Sequence, residues 1–136
     1  MRSMQGLHLT ADLQGCAPAQ AAMTDVAALR THCLAAVRAA GLQPVGELFH
    51  RFAPEPGRAE PTGVTGVVLL AESHLAVHTW PELGTVTIDV YVCNYGGDNT
   101  TRAQALLATL IDRFAPARVE RHALQRGRRS AAADSP

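Results

Sequence analysis

Thr85-Val86-Thr87-Ile88-Asp89-Val90-Tyr91-Val92-Cys93 sets every aliphatic side chain at an even position and every polar, aromatic or thiol side chain at an odd one. Successive side chains of an extended chain point to opposite faces, so this segment predicts a strand with one face in a core. Its other face carries chemistry or packs a second layer. Just before it, Pro81-Glu82-Leu83-Gly84 reads as a turn and Leu75 to Thr79 as a short strand, which predicts a hairpin. Gly63 to Ala71, ending in the apolar run Val67-Val68-Leu69-Leu70-Ala71, predicts a further buried strand.

Working outward, Asn94 to Asn99 reads as a turn, and a helix is predicted from about Thr100 to Phe114. Ala103, Leu106, Leu107, Leu110 and Phe114 recur there at helical spacing, and Pro116 ends it. Near the other end, Leu7, Leu9, Ala11 and Leu13 alternate with more polar neighbours and predict the first strand. A helix then starts with Thr24 or Asp25 as N-cap, places Val26, Leu29, Cys33 and Val37 on one face, and stops at Gly41. A strand from Val45 to Phe52 follows. Ala53 to Pro61 has the prolines, glycine and mixed charges of a mobile loop. A last strand spans Val119 to Leu124, and the alanine-rich tail from about 126 to 136 is expected to be disordered.

The order of elements predicts one α+β domain over residues 1–136, an antiparallel-rich sheet with both helices packed on one face. The sheet's other face would be left bare. A second copy of the chain could cover it, so the expected particle is a homodimer in which two protomers form an α/β/β/α sandwich.

Composition narrows the chemistry. The 136 residues suffice for one buried core, and the formal net charge is zero. Basic side chains form no long run except Arg126-Gly127-Arg128-Arg129, which argues against nucleic acid as a partner. Cys16, Cys33 and Cys93 lack C-x-x-C spacing, and no N-terminal run has the length of a signal peptide or membrane span. The expected setting is therefore the cytoplasm, with no membrane partner. There is no lysine, and pyridoxal phosphate needs one for its Schiff base, so that cofactor is not expected.

Reactive groups concentrate in Glu72-Ser73-His74-Leu75-Ala76-Val77-His78-Thr79-Trp80-Pro81-Glu82, right after the predicted buried strand. A serine attacks an amide only where geometry makes the attack intramolecular and a base and oxyanion donors assist; a turn after a strand is a place to store strain for it. His74 and His78 would align on a helix, but this segment is extended and offers neither HExxH nor a third ligand, so no metal is expected. Cys93, taken alone, is a small buried hydrophobe or a reactive thiol, and its place on the polar face of the hairpin favours the second. Trp80 either closes a core or dimer contact or offers a binding surface. Asp89 either orients backbone or pairs with an arginine. Cys16 and Cys33 read as packing.

The Glu72 to Glu82 block resembles the self-cleavage site of bacterial and archaeal S-adenosylmethionine decarboxylase proenzymes. Gly6-Leu7-His8-Leu9, Phe49-His50-Arg51-Phe52, Gly63-Val64-Thr65-Gly66-Val67-Val68 and Asp89 to Cys93 extend the resemblance over most of the chain. It implies that the Ser73 hydroxyl attacks the Glu72 carbonyl, that the chain divides into residues 1–72 and 73–136, and that Ser73 becomes a pyruvoyl cofactor. By the same resemblance His78 removes the Ser73 α-proton and Thr65 stands where the family has an assisting serine. Cys93 protonates the substrate carbon after carbon dioxide leaves. Phe52 and Trp80 stack on adenine or face the sulfonium, and Glu82 binds ribose or adds negative potential. On an extended segment Ser73 and His78 have opposite parity, so a turn near His74 is expected to bring them together.

The implied substrate is S-adenosylmethionine, decarboxylated for spermidine synthesis through a Schiff base on the pyruvoyl ketone, which acts as electron sink. The family commonly continues Pro-Glu with Tyr-Gly-Tyr and follows its cysteine with glycine. Here Leu83-Gly84-Thr85 and Asn94 stand instead, and the Ala53 to Pro61 loop is longer. Two alternatives accompany the main reading: a pyruvoyl-dependent ornithine or arginine decarboxylase, and an uncleaved regulatory or binding relative.

Overall fold

The computed structural model describes residues 5–58 and 61–127. Its strands are β1 (Gly6–Gln14), β2 (Pro44–Arg51), β3 (Val64–Leu70), β4 (Ser73–Trp80), β5 (Thr85–Cys93) and β6 (Arg118–Arg126), with helices α1 (Val26–Ala39) and α2 (Thr100–Phe114). They form one six-stranded sheet in the order β2-β3-β4-β5-β1-β6. Every neighbouring pair is antiparallel. The long connections carry the helices: α1 leads from β1 to the far edge, and α2 crosses from β5 over β1 to β6.

Both helices lie on one face, α1 against β2 and β3, α2 against β1 and β5, and each against the other. The alternation of β5 explains why. Val86, Ile88, Val90 and Val92 are fully buried or nearly so, with Leu9, Ala11 and Leu13 of β1 and Leu75 and Val77 of β4 beside them. From above, α1 contributes Leu29, Cys33 and Val37, and α2 contributes Ala103, Leu106, Leu110 and Phe114. Burial in this apolar layer pushes the Cys33 thiol up to about 12 and raises that of Cys16, which keeps both inert.

Local chemistry fixes the elements. The Asp25 carboxylate accepts from the Ala27 N–H at 2.9 Å, which settles the N-cap of α1 between the two candidates. Gly41, just past that helix, takes φ +83°, a left-handed angle that costs glycine little. Thr79, the one buried polar side chain among the described residues, donates to the Met23 carbonyl and accepts from the Val64 N–H, both at 2.8 Å, which pins β3, β4 and the approach to α1 together.

Three expectations need correction. The strand predicted from Leu75 starts at Ser73, because Leu70 pairs with Ser73 and only Ala71 and Glu72 remain as a two-residue hairpin loop. There is no turn at His74 to bring Ser73 and His78 together: β4 is continuous, and the two side chains leave opposite faces of it. Nor does the hairpin loop take a left-handed angle, since among the described residues the one non-glycine with positive φ is Ala115, at 47°. The tail expected to be disordered from about 126 begins too early, for Arg126 completes β6; residues 128–136 lie outside the described residues.

Among the described residues no helix lies on the opposite face of the sheet. Cross-strand partners share a face, so the registers place His74, Ala76, His78 and Trp80 of β4 on it, with Thr85, Thr87, Asp89 and Tyr91 of β5, His8 and Thr10 of β1, and Thr65, Val67 and Leu69 of β3. Leu48 and Leu69, side by side toward the β2 edge, are 69% and 50% exposed. No described helix is long and apolar enough to cross a membrane.

Candidate active site

Ser73 is the first residue of β4, directly after the Ala71–Glu72 loop. Its Oγ accepts a hydrogen bond from the Cys93 N–H at 3.0 Å. That contact follows from topology: β4 and β5 are antiparallel neighbours, so the start of one lies beside the end of the other. Cys93 is only 6% exposed. Behind the hairpin loop, Gly41, Leu42, Gln43, Leu70 and Asn99 join Ala71, Glu72 and Ser73 around a cavity of about 340 Å³.

The remaining candidates gather at the opposite end of β4. Thr65 pairs with His78 across β3 and β4, and Thr65 Oγ1 shares a hydrogen bond with His78 Nδ1 at 3.1 Å. The His78 ring lies 5.9 Å from that of Trp80. Phe52, Trp80 and Glu82 line one cleft of about 280 Å³ together with Ala53, Pro54, Glu55 and Arg58 of the proline-rich loop, which is thus part of the cleft wall.

The candidate residues of one chain thus fall into two groups: Glu72, Ser73 and Cys93 at one end of β4, and Thr65, His78, Phe52, Trp80 and Glu82 toward the other. Ser73 and His78 are five residue steps apart on an extended strand, a span of about 16 Å. His78 does not reach the serine of its own chain.

Some contacts escaped the sequence reading. Among the described residues the partner of Asp89 is neither backbone nor arginine but a histidine: His8 Nε2–H donates to its carboxylate at 3.1 Å. Tyr91 meets His74 at 5.5 Å and His8 edge-on at 6.3 Å, and the Arg126 guanidinium lies over its ring at 5.7 Å. The odd-position alternation of β5 was the signal that could have found this row. After Cys93, the Asn99 N–H donates to Asn94 Oδ1 and Asn99 Nδ2 donates to the Cys93 carbonyl, with no signal beyond two asparagines five apart. Among the described residues, no three His, Cys, Asp or Glu side chains gather as a metal-binding group.

Comparison with known proteins gives this geometry a context. A family profile described as S-adenosylmethionine decarboxylase matches residues 7–127. The S-adenosylmethionine decarboxylase proenzyme of Parasynechococcus marenigrum is 42% identical over 93% of this chain and 86% of its own length. The corresponding proenzyme of Archaeoglobus fulgidus is 34% identical, over 90% of this chain and 97% of its own. In three dimensions, the crystal structure of the adenosylmethionine decarboxylase from Aquifex aeolicus superimposes with a TM-score of 0.78 at 33% identity, covering 96% of this chain and 97% of that one. With the profile matching nearly the whole of the sheet and both helices, the chain belongs to the S-adenosylmethionine decarboxylase family.

Proposed function

We propose that this chain is a self-processing proenzyme whose cleaved form decarboxylates S-adenosylmethionine. The observation that carries the reading is the hydrogen bond from the Cys93 N–H to Ser73 Oγ, which fixes the serine rotamer at the residue whose preceding carbonyl is to be attacked. A new bond joins Oγ to the Glu72 carbonyl carbon while the Glu72–Ser73 amide C–N bond breaks. The hydroxyl proton ends on the freed nitrogen, leaving an ester. The Cys93 N–H favours this step because it stabilises negative charge developing on Oγ. Loss of the Ser73 α-proton then breaks the Cβ–O bond, frees the Glu72 carboxylate, and leaves dehydroalanine, whose hydrolysis releases ammonia and yields a pyruvoyl terminus on residues 73–136.

The residues fit such a group: a serine at a strand's first position, its oxygen already held by the main chain of the buried Cys93, and a cavity lined by Glu72 and Ser73. Once formed from Ser73, such a group would supply the electrophilic carbonyl for the substrate amine and the electron sink, the work that a lysine-bound cofactor performs elsewhere. Cys93 is the proton donor to the substrate carbon once carbon dioxide has left. Phe52 and Trp80 present faces for adenine and the sulfonium cation, and Glu82 adds negative potential at the same cleft. His78, its ring held by Thr65, is the base for the Ser73 α-proton.

Because His78 lies far from Ser73 in one chain, the working particle is a homodimer in which the partner completes each site. A two-fold that lays the bare sheet faces together sets the serine end of one protomer near the histidine end of the other, and covers Leu48 and Leu69. The setting consistent with this biosynthetic role is the cytoplasm. Neither the basic amino-acid decarboxylase nor the uncleaved relative is favoured by the relatives, whose names specify S-adenosylmethionine decarboxylase proenzymes.

The test is the denatured mass of purified protein followed by carbon dioxide release from S-adenosylmethionine, ornithine and arginine. Division after Glu72 with a pyruvoyl-bearing second fragment, and release from S-adenosylmethionine alone, is the expected result. An intact, inert chain would overturn the reading.

A further inference from the structure

Asn99 stands at the N-cap of α2, where an asparagine ordinarily turns its side chain back to accept a helix N–H. Here it makes no such bond. Asp98 accepts from the Thr100 N–H at 2.9 Å instead, and that bond draws the Asp98 carboxyl below its ordinary range. The Asn99 amide is thereby free for other work. Its Nδ2 donates to the Cys93 carbonyl at 3.1 Å, and its Oδ1 accepts from the Arg102 guanidinium at 2.9 Å.

Asn94 completes the arrangement from the other side. Its Oδ1 accepts from the Asn99 N–H at 2.9 Å, and its own N–H donates to the Gln5 carbonyl at 2.6 Å. The Cys93 backbone is consequently gripped at both ends, its carbonyl by Asn99 and its N–H by the Ser73 hydroxyl oxygen. Asn99 also lines the cavity behind Glu72 and Ser73. An unbroken chain of hydrogen bonds thus runs from the first turn of α2 to the serine.

We propose that Asn99 is a positioning residue for self-cleavage, which holds the Cys93 main chain so that its N–H sets the Ser73 hydroxyl against the Glu72 carbonyl. The proposal rests on the processing reading above and adds to it the group that governs the first step, the shift from amide to ester. The side chain of Asn94, standing where glycine is usual after the cysteine, supports the same loop by fixing the Asn99 main chain. A glycine there has no side-chain oxygen to do so.

Asn99→Asp isolates the contact, because aspartate caps a helix as well as asparagine and keeps the acceptor for Arg102, yet has no N–H for the Cys93 carbonyl. Cleavage of wild type, Asn99→Asp and Ser73→Ala is followed by denatured mass from the moment of synthesis, with and without hydroxylamine, which cuts an ester and spares an amide. The expected result for Asn99→Asp is cleavage slowed about tenfold, the factor one positioning hydrogen bond corresponds to. Hydroxylamine should not speed it, and the melting temperature should stay near that of wild type.

An unchanged rate overturns the proposal. So does accumulation of a hydroxylamine-sensitive ester, which moves the defect to the second step. A slowing matched by an equal loss of folded protein also overturns it, since Asn99 would then be only structural. If wild type itself stays intact the processing reading falls too, whereas normal wild-type cleavage beside an unaffected Asn99→Asp removes this proposal alone.

Discussion

Cys93 enters the proposed chemistry twice, and the two contributions belong to different atoms. Its main-chain N–H holds the serine, and its thiol donates a proton later. Replacing the side chain keeps the first and deletes the second. Cys93→Ala is therefore expected to divide after Glu72 nearly as wild type does, while carbon dioxide release falls about 10²- to 10⁴-fold, the range a general acid contributes. Ser73→Ala, by contrast, is expected to remain one chain with no turnover. Mass spectra and carbon dioxide assays on the two variants check this, and a fully active Cys93→Ala would remove the thiol's role. Cys93 stands out in the sequence because the alternation of its strand sets a thiol among the polar side chains. Asn99 does not, since an asparagine before a helix reads as a cap, and only the fold reveals that Asp98 does the capping.

At the scale of elements, periodicity located both helices and all six strands, and failed where turn chemistry was silent. Ala71–Glu72 is a two-residue loop without the glycine or asparagine that usually announces one, so β4 was read from Leu75 and its serine assigned to a longer turn. That two-residue error decided whether Ser73 and His78 could meet. The helix pair carries a second consequence hidden from a single segment: His32 of α1 has its pKa lowered below the ordinary 6.5, first by burial and then by Arg113 of α2. A lowered folded value means that the unfolded chain binds the proton more readily, so stability rises with pH here. His32 leaves the fold at full strength above about 6.5 and weakens it as pH falls through the window beneath. Melting temperatures measured across that range should fall with pH, and His32→Gln should flatten this part of the profile; an unchanged slope would remove His32 as the cause.

The whole molecule answers a question that neither residue nor element can. A sheet with helices on one face leaves the other bare, and that much follows from two amphipathic helices and one alternating strand. What the sequence could not convey is that two residues of one contiguous block, Ser73 and His78, stand far apart along a single strand, because strand length and not spacing in sequence sets the separation. If the bare faces pair by a two-fold, each site takes its serine and cysteine from one protomer and its histidine and aromatic cleft from the other. Ser73→Ala and His78→Ala proteins should then each fail alone yet complement one another when synthesised together. In a mixed dimer one site carries both lesions and the other carries none, so random pairing restores about a quarter of wild-type sites. The restored fraction is read as cleaved chain carrying the His78→Ala substitution, since that chain supplies the intact serine and borrows the partner's histidine. A site confined to one chain predicts no cleavage in the mixture at all, and that outcome, with dimers present by sedimentation, would return His78 to a structural role.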